Sequence, residues 1–174
     1  MITRNRFGLL WLTYAVCWDI IAVSVYLVTV STLLGRGRAP HLSMLFSEVW
    51  KIWLLMLVLP PFNIAYLLWM SLFATAHVKY LQRAAQAGAD PVCIRSKSVR
   101  FGLVTGILQA IIGTPLAYKV FVLGSAGGMF TPSVAAPGTG LAAFCASSLC
   151  GLILGAQVSK FRSETAPDAG AQPT

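Results

Sequence analysis

Asp19 is the residue whose type and position stand out first. It is a lone carboxylate inside the apolar run Phe7–Leu34, 12 residues beyond Phe7, or about 18 Å along a helix at 1.5 Å per residue. That depth is near the middle of a bilayer, where an ionisable group is costly and is a functional candidate by default. Counted the same way from the inner ends of their helices, Gln109 and Thr114 fall at about 12 and 20 Å. Asn63 follows Pro60-Pro61 at a similar middle depth. Asp19, Asn63, Gln109 and Thr114 therefore form an expected polar layer. As an ion or proton site, Asp19 would titrate and the other three would supply oxygen and amide partners. As a structural layer, the same four would fix helix register by satisfying one another. A single acid with no second carboxylate beside it makes a poor proton relay, so the structural reading leads. Lys119, about 27 Å up its helix, reads as a side chain that reaches for the interface.

Other chemistries lack their parts. His41 and His77 are expected on opposite sides of the membrane, which separates them as ligands of a haem or a zinc ion. Neither is expected at membrane depth, where it would have to serve as the base for a Ser or Cys nucleophile. Cys17, Cys93, Cys145 and Cys150 contain no C-x-x-C spacing and read as small buried hydrophobes. The glycine-rich stretch Gly124–Gly140 has no phosphate-loop pattern. The reading is of a non-enzymatic protein without a metal or cofactor.

These residues need long helices to hold them. Of 174 residues, 57% are hydrophobic and 10% charged, and the mean hydropathy is +0.75. Soluble domains carry about 25% charged residues, so lipid is the expected solvent. Four runs meet the length of about 20 apolar residues that crosses a bilayer: 7–34, 49–76, 101–123 and 141–158. The expected fold is all-α: one integral-membrane four-helix bundle over residues 1–162, followed by an extended tail, 163–174. The second helix is expected to kink at Pro60-Pro61, because proline withholds an amide donor. It should then continue inward to a Gly88 cap, with Asp90-Pro91 preventing further extension. The stretch Ile94–Arg100 reads as a basic collar leading into the third helix, and Thr131–Gly140 as part of a loop before the fourth.

Small residues recur at helical spacing on the last two helices: Gly102, Gly106, Ala110, Gly113 and Ala117 on the third, and Ala143, Ser147, Gly151 and Gly155 on the fourth. Such stripes let backbones approach closely where lipid offers no hydrophobic drive between helices. An antiparallel third–fourth pair is expected.

The formal charge of +8 does not point to nucleic acid, because the basic residues segregate by side. Arg4, Arg6, Lys79, Arg83, Arg95, Lys97, Arg100, Lys160 and Arg162 cluster with the expected termini, against Arg36, Arg38, Lys51 and Lys119 opposite. Lys and Arg bias places both termini inside, in a bacterial or mitochondrial inner membrane. Lys79, Arg83, Arg95, Lys97 and Arg100 are the candidate contacts for anionic headgroups. The long first apolar run is expected to be a spanning helix and not a cleaved signal. Together these features point to a non-catalytic accessory subunit of a larger membrane complex, of an energy-transducing kind (respiratory, ATP synthase or photosynthetic). The competing reading is a small oligomeric transporter of ions, protons or solutes built around Asp19.

Overall fold

The computed structural model describes residues 4–34, 47, 62–124 and 132–165. They form four long helices and, among the described residues, no strand: α1 (Arg4–Leu34), α2 (Phe62–Gln86), α3 (Pro91–Gly124) and α4 (Pro132–Thr165). Each contains a segment long and apolar enough to cross a membrane. The expected kink at Pro60-Pro61, and residues 166–174 of the expected tail, lie outside the described residues.

The α3 and α4 boundaries differ from the sequence reading, each for a local reason. α2 is described only from Phe62 and continues past the apolar run's end at Ala76 to Gln86, in line with the expected inward extension to a Gly88 cap. It stops where Gly88 adopts φ +80°, with Ala89 N–H donating to the Ala84 carbonyl and Gly88 N–H to the Ala85 carbonyl, both at 3.3 Å. This crossed pair of bonds is the Schellman closure, and it needs a residue that accepts a left-handed backbone.

α3 begins ten residues before the expected Phe101. Asp90 ends one helix and starts the next: its Oδ1 accepts from Cys93 N–H at 2.7 Å, and Pro91 takes the first helical position, where its missing N–H costs nothing. The basic collar is thus the first turns of α3. α4 begins nine residues before Leu141 and extends seven past Val158. The stretch read as a loop is helical because Pro132 suits a first turn. Gly138 and Gly140 serve as contact points, against Tyr26 and Val30 and against Thr114 respectively.

α4 is the central helix. Half of its apolar span is buried, against 22–33% for the others, and its dominant partner is α3, followed by α1. Gly102 and Gly151 explain that pairing. A Cβ on Gly102 would lie 2.7 Å from the Ser147 carbonyl oxygen and 3.1 Å from the Gly151 Cα. A Cβ on Gly151 would lie 2.8 Å from the Ser98 carbonyl oxygen. Backbone meets backbone, which only glycine allows at this separation. The orientation is fixed at one end of the bundle. There Arg95 near the start of α3 bonds Ser159 near the end of α4 at 2.9 Å, and Arg6 of α1 lies 4.9 Å from the Phe161 ring centroid.

The core joins Leu10 and Tyr14 of α1, Met70, Phe73, Ala74, Val78 and Leu81 of α2, Ile94 of α3, and Cys150, Leu154 and Val158 of α4. Outward, the helices present Leu12, Ile20, Leu68, Leu72, Val104 and Ile111, an apolar envelope suited to acyl chains. Hydroxyls outside the core fold back on their own helices, as Ser24 does to the Ile20 carbonyl and Thr32 to the Val28 carbonyl, each at 2.7 Å. Near the far end, Pro115 of α3 and Pro137 of α4 line one groove with Thr114, Tyr118 and Lys119.

The seam yields a differential prediction. Gly102→Ala and Gly151→Ala should each destabilise by about 1–3 kcal/mol through overpacking. Gly113→Ala, where a Cβ meets nothing within 4 Å, should be neutral or stabilising by up to about 1 kcal/mol. Unfolding midpoints in mild detergent would rank the three.

Candidate functional site: two buried polar relays

Gln109 is fully buried where α1, α3 and α4 meet. Trp18 Nε1–H points between two acceptors, Gln109 Oε1 at 3.1 Å and Ser147 Oγ at 3.0 Å. Ser147 passes its own proton to Gln109 Oε1 at 2.7 Å. The chain of donors therefore runs from indole to hydroxyl to amide carbonyl. Tyr14 packs its buried hydroxyl close to Ser147 and Gln109, and Gln109 Nε2 is buried without a partner.

A second relay of the same form lies on the α2 side. Ser98 Oγ donates to the Gly151 carbonyl at 2.6 Å, and His77 Nε2 stands 3.0 Å from Ser98 Oγ. The hydroxyl has one proton, and a carbonyl can only accept it. His77 must therefore donate through Nε2–H, which leaves Nδ1 as the unprotonated nitrogen. Nδ1 is buried without a partner. The ring is held by Tyr14 (centroids 5.7 Å apart) and Phe101 (4.9 Å), and Tyr80 stacks on the far side of Phe101 at 4.6 Å. Both relays end on the α3–α4 seam, one tying α1 to it and the other α2.

The four residues of the expected polar layer occupy different places. Gln109 belongs to the first relay. Asp19 accepts a hydrogen bond from the Tyr66 hydroxyl, between α1 and α2, and both side chains are half-buried. Thr114 packs its hydroxyl over Gly140 at the α3–α4 contact. The Asn63 side chain lies outside the described residues.

The small residues also divide. Gly102, Gly106, Gly151 and Gly155 face backbone across the seam: Gly106 meets the Phe144 carbonyl, and Gly155 meets Ser98 and Arg95. Ser147 lies against Gly102, the Ala110 carbonyl approaches Gly140, and Ala143 is buried. Gly113 meets no neighbour, and Ala117 is half-buried. Of the basic candidates, Lys79, Arg83, Arg95 and Arg100 are exposed and Lys97 is half-buried.

His77, Ser98, Trp18, Tyr14 and Tyr66 are the interior polar side chains that the sequence reading left out of the layer. His77 was readable: Met70, Phe73, Ala74, His77, Val78 and Leu81 make one stripe of three- and four-residue steps, which is a core face. Ending the spanning run of the second helix at Ala76 put His77 on the same helix but beyond membrane depth. In the structure it sits inside a candidate span, Ile64–Gln86. Among the described residues, no group of three or more His, Cys, Asp or Glu side chains gathers as a metal site.

The relay geometry makes Ser98 a sensitive position. Ser98→Ala strands both the His77 Nε2–H and one acceptor position at Gly151, at an expected cost of about 1–2 kcal/mol. Ser96→Ala, on the exposed side of the same turn, should change little. Detergent unfolding of the two variants compares them directly.

Comparison with protein-family models, curated proteins and solved structures finds no match to this chain.

Proposed function

We propose that the chain is a non-catalytic structural subunit of a larger assembly in a bacterial or mitochondrial inner membrane, of an energy-transducing kind. Its basic ends lie on the cytoplasmic or matrix side. The observation that carries this reading is the use made of the interior polar groups. Trp18, Gln109 and Ser147 bond α1 to the α3–α4 pair, and His77 and Ser98 bond α2 to it. The polar interior is spent on helix register, and the α3–α4 seam is closed by backbone contact at Gly102 and Gly151. A rigid bundle with an apolar envelope suits a part that neighbours and lipids pack around. Headgroups of anionic lipids are its expected partners at Lys79, Arg83, Arg95, Lys97 and Arg100, and nucleic acid is not.

One observation supports the second reading, an oligomeric transporter. Asp19 lies within an apolar span and remains half-exposed beside Tyr66, where a second copy could complete a polar path.

Extraction in a gentle detergent followed by native mass measurement separates the two. Co-migration with unrelated membrane proteins supports the subunit role, and recovery only as monomer or homo-oligomer removes it. In proteoliposomes, the transporter reading requires flux that Asp19→Asn abolishes. A parent protein with no flux rules that reading out.

A further inference from the structure

Between the first turn of α3 and the last turns of α4 lies a groove of about 520 Å³, bounded by Pro91 and Arg95 on one side and Ala156 to Lys160 on the other. Two cations, Arg95 and Lys160, stand on its walls and both are exposed. Arg95 is oriented by the bond from its Nε–H to Ser159 Oγ at 2.9 Å. That bond occupies the inner nitrogen and leaves the terminal fork, the part of a guanidinium that matches two phosphate oxygens. Gln157 lines the same groove, and its Oε1 is buried with no donor. The walls thus offer two positive groups and one acceptor in need of an O–H.

An apolar track leads away from the groove. On α4, Leu149, Leu152, Ala156 and Lys160 follow at steps of three and four residues, all exposed, and so share one face. On α3, Arg95, Val99 and Leu103 follow at four-residue steps, with Leu103 exposed. Lys97 and Arg100 lie about 140–200° around α3 from Arg95, on the side of Val104 and Ile111, and do not serve this groove.

We propose that this groove is a headgroup site for an anionic glycerophospholipid whose headgroup carries a hydroxyl, of the phosphatidylglycerol type. Arg95 and Lys160 hold the phosphate, Gln157 Oε1 accepts from the headgroup alcohol, and an acyl chain lies along the Leu149–Leu152 and Val99–Leu103 sides. The site rests on the membrane placement proposed above and not on the subunit role. Resistance to alkaline carbonate extraction tests that placement separately.

The full chain, purified in mild detergent and stripped of lipid, would be offered phosphatidylglycerol, phosphatidic acid, phosphatidylcholine or inorganic phosphate and read by native mass spectrometry. The parent should retain phosphatidylglycerol in preference to the other three. R95Q/K160Q should weaken that retention roughly tenfold or more, while K119Q, at the opposite end of the bundle, retains it. Gln157→Leu should narrow the preference over phosphatidic acid, which lacks the alcohol, and it carries the test should R95Q/K160Q fail to fold. Equal losses in R95Q/K160Q and K119Q, an unchanged preference in Gln157→Leu, equal retention of phosphatidylcholine, or phosphate bound as well as lipid would each overturn the site.

Discussion

The bundle depends on a backbone approach at one crossing, where Gly102 of α3 meets Gly151 of α4. In the lipid surroundings proposed for it, apolar side chains would gain little by leaving acyl chains for one another, and close packing and hydrogen bonds would have to hold the structure. The seam supplies the packing. It also sets the depth of two serines, Ser98 on α3 and Ser147 on α4, which receive the other two helices. Each outlying helix brings one aromatic N–H to one of these hydroxyls: the indole of Trp18 from α1 and the imidazole of His77 from α2. Each serine in turn gives its proton to an amide oxygen, of the Gln109 side chain or the Gly151 backbone. One plan of assembly is used twice, with different residues.

This arrangement bears on function. A polar layer used for transport would gather its groups around a common space. Here Gln109 and Asp19 are committed to different partners, and Thr114 packs against Gly140. Of the buried atoms without a partner, His77 Nδ1 and Gln109 Nε2 lie along the interior next to the relays, and Gln157 Oε1 lies on the groove-lining residue. They mark where the interior departs from full satisfaction of its polar groups. The outer surface divides differently. Arg95 and Lys160 flank a groove between two helices, whereas Lys97 and Arg100 head the open apolar face of α3. One set of cations is built into a shape, and the other lies on a general collar.

The helices were legible from the chain because apolar runs of spanning length are a strong signal, and the four-residue recurrence of Gly, Ala and Ser on the last two is a strong one as well. Boundaries were less legible. Asp90-Pro91 reads as a stop, yet the same two residues are the N-cap and first residue of the next helix. Pro132, Pro137, Gly138 and Gly140 read as loop punctuation, yet all are helical, with Tyr26, Val30 and Thr114 packed against the two glycines. The site was legible in kind and not in membership. Gln109 carried the signal of an amide in an apolar run. His77 lost its signal to a boundary error, and the roles of Trp18 and Ser147 depend on which helices touch, which spacing along one chain does not encode.

The two internal prolines give the α3–α4 pair unequal ends. Toward Arg95 and Ser159 the helices are locked by backbone contact and side-chain bonds. Toward Lys119 the ladders of both helices lack the bonds that Pro115 and Pro137 would make to the carbonyls four residues before them. Stiffness therefore falls along the length of the pair. A load applied at the proline end would spread the two rods like the arms of a tuning fork, while the glycine crossing stayed fixed as its stem.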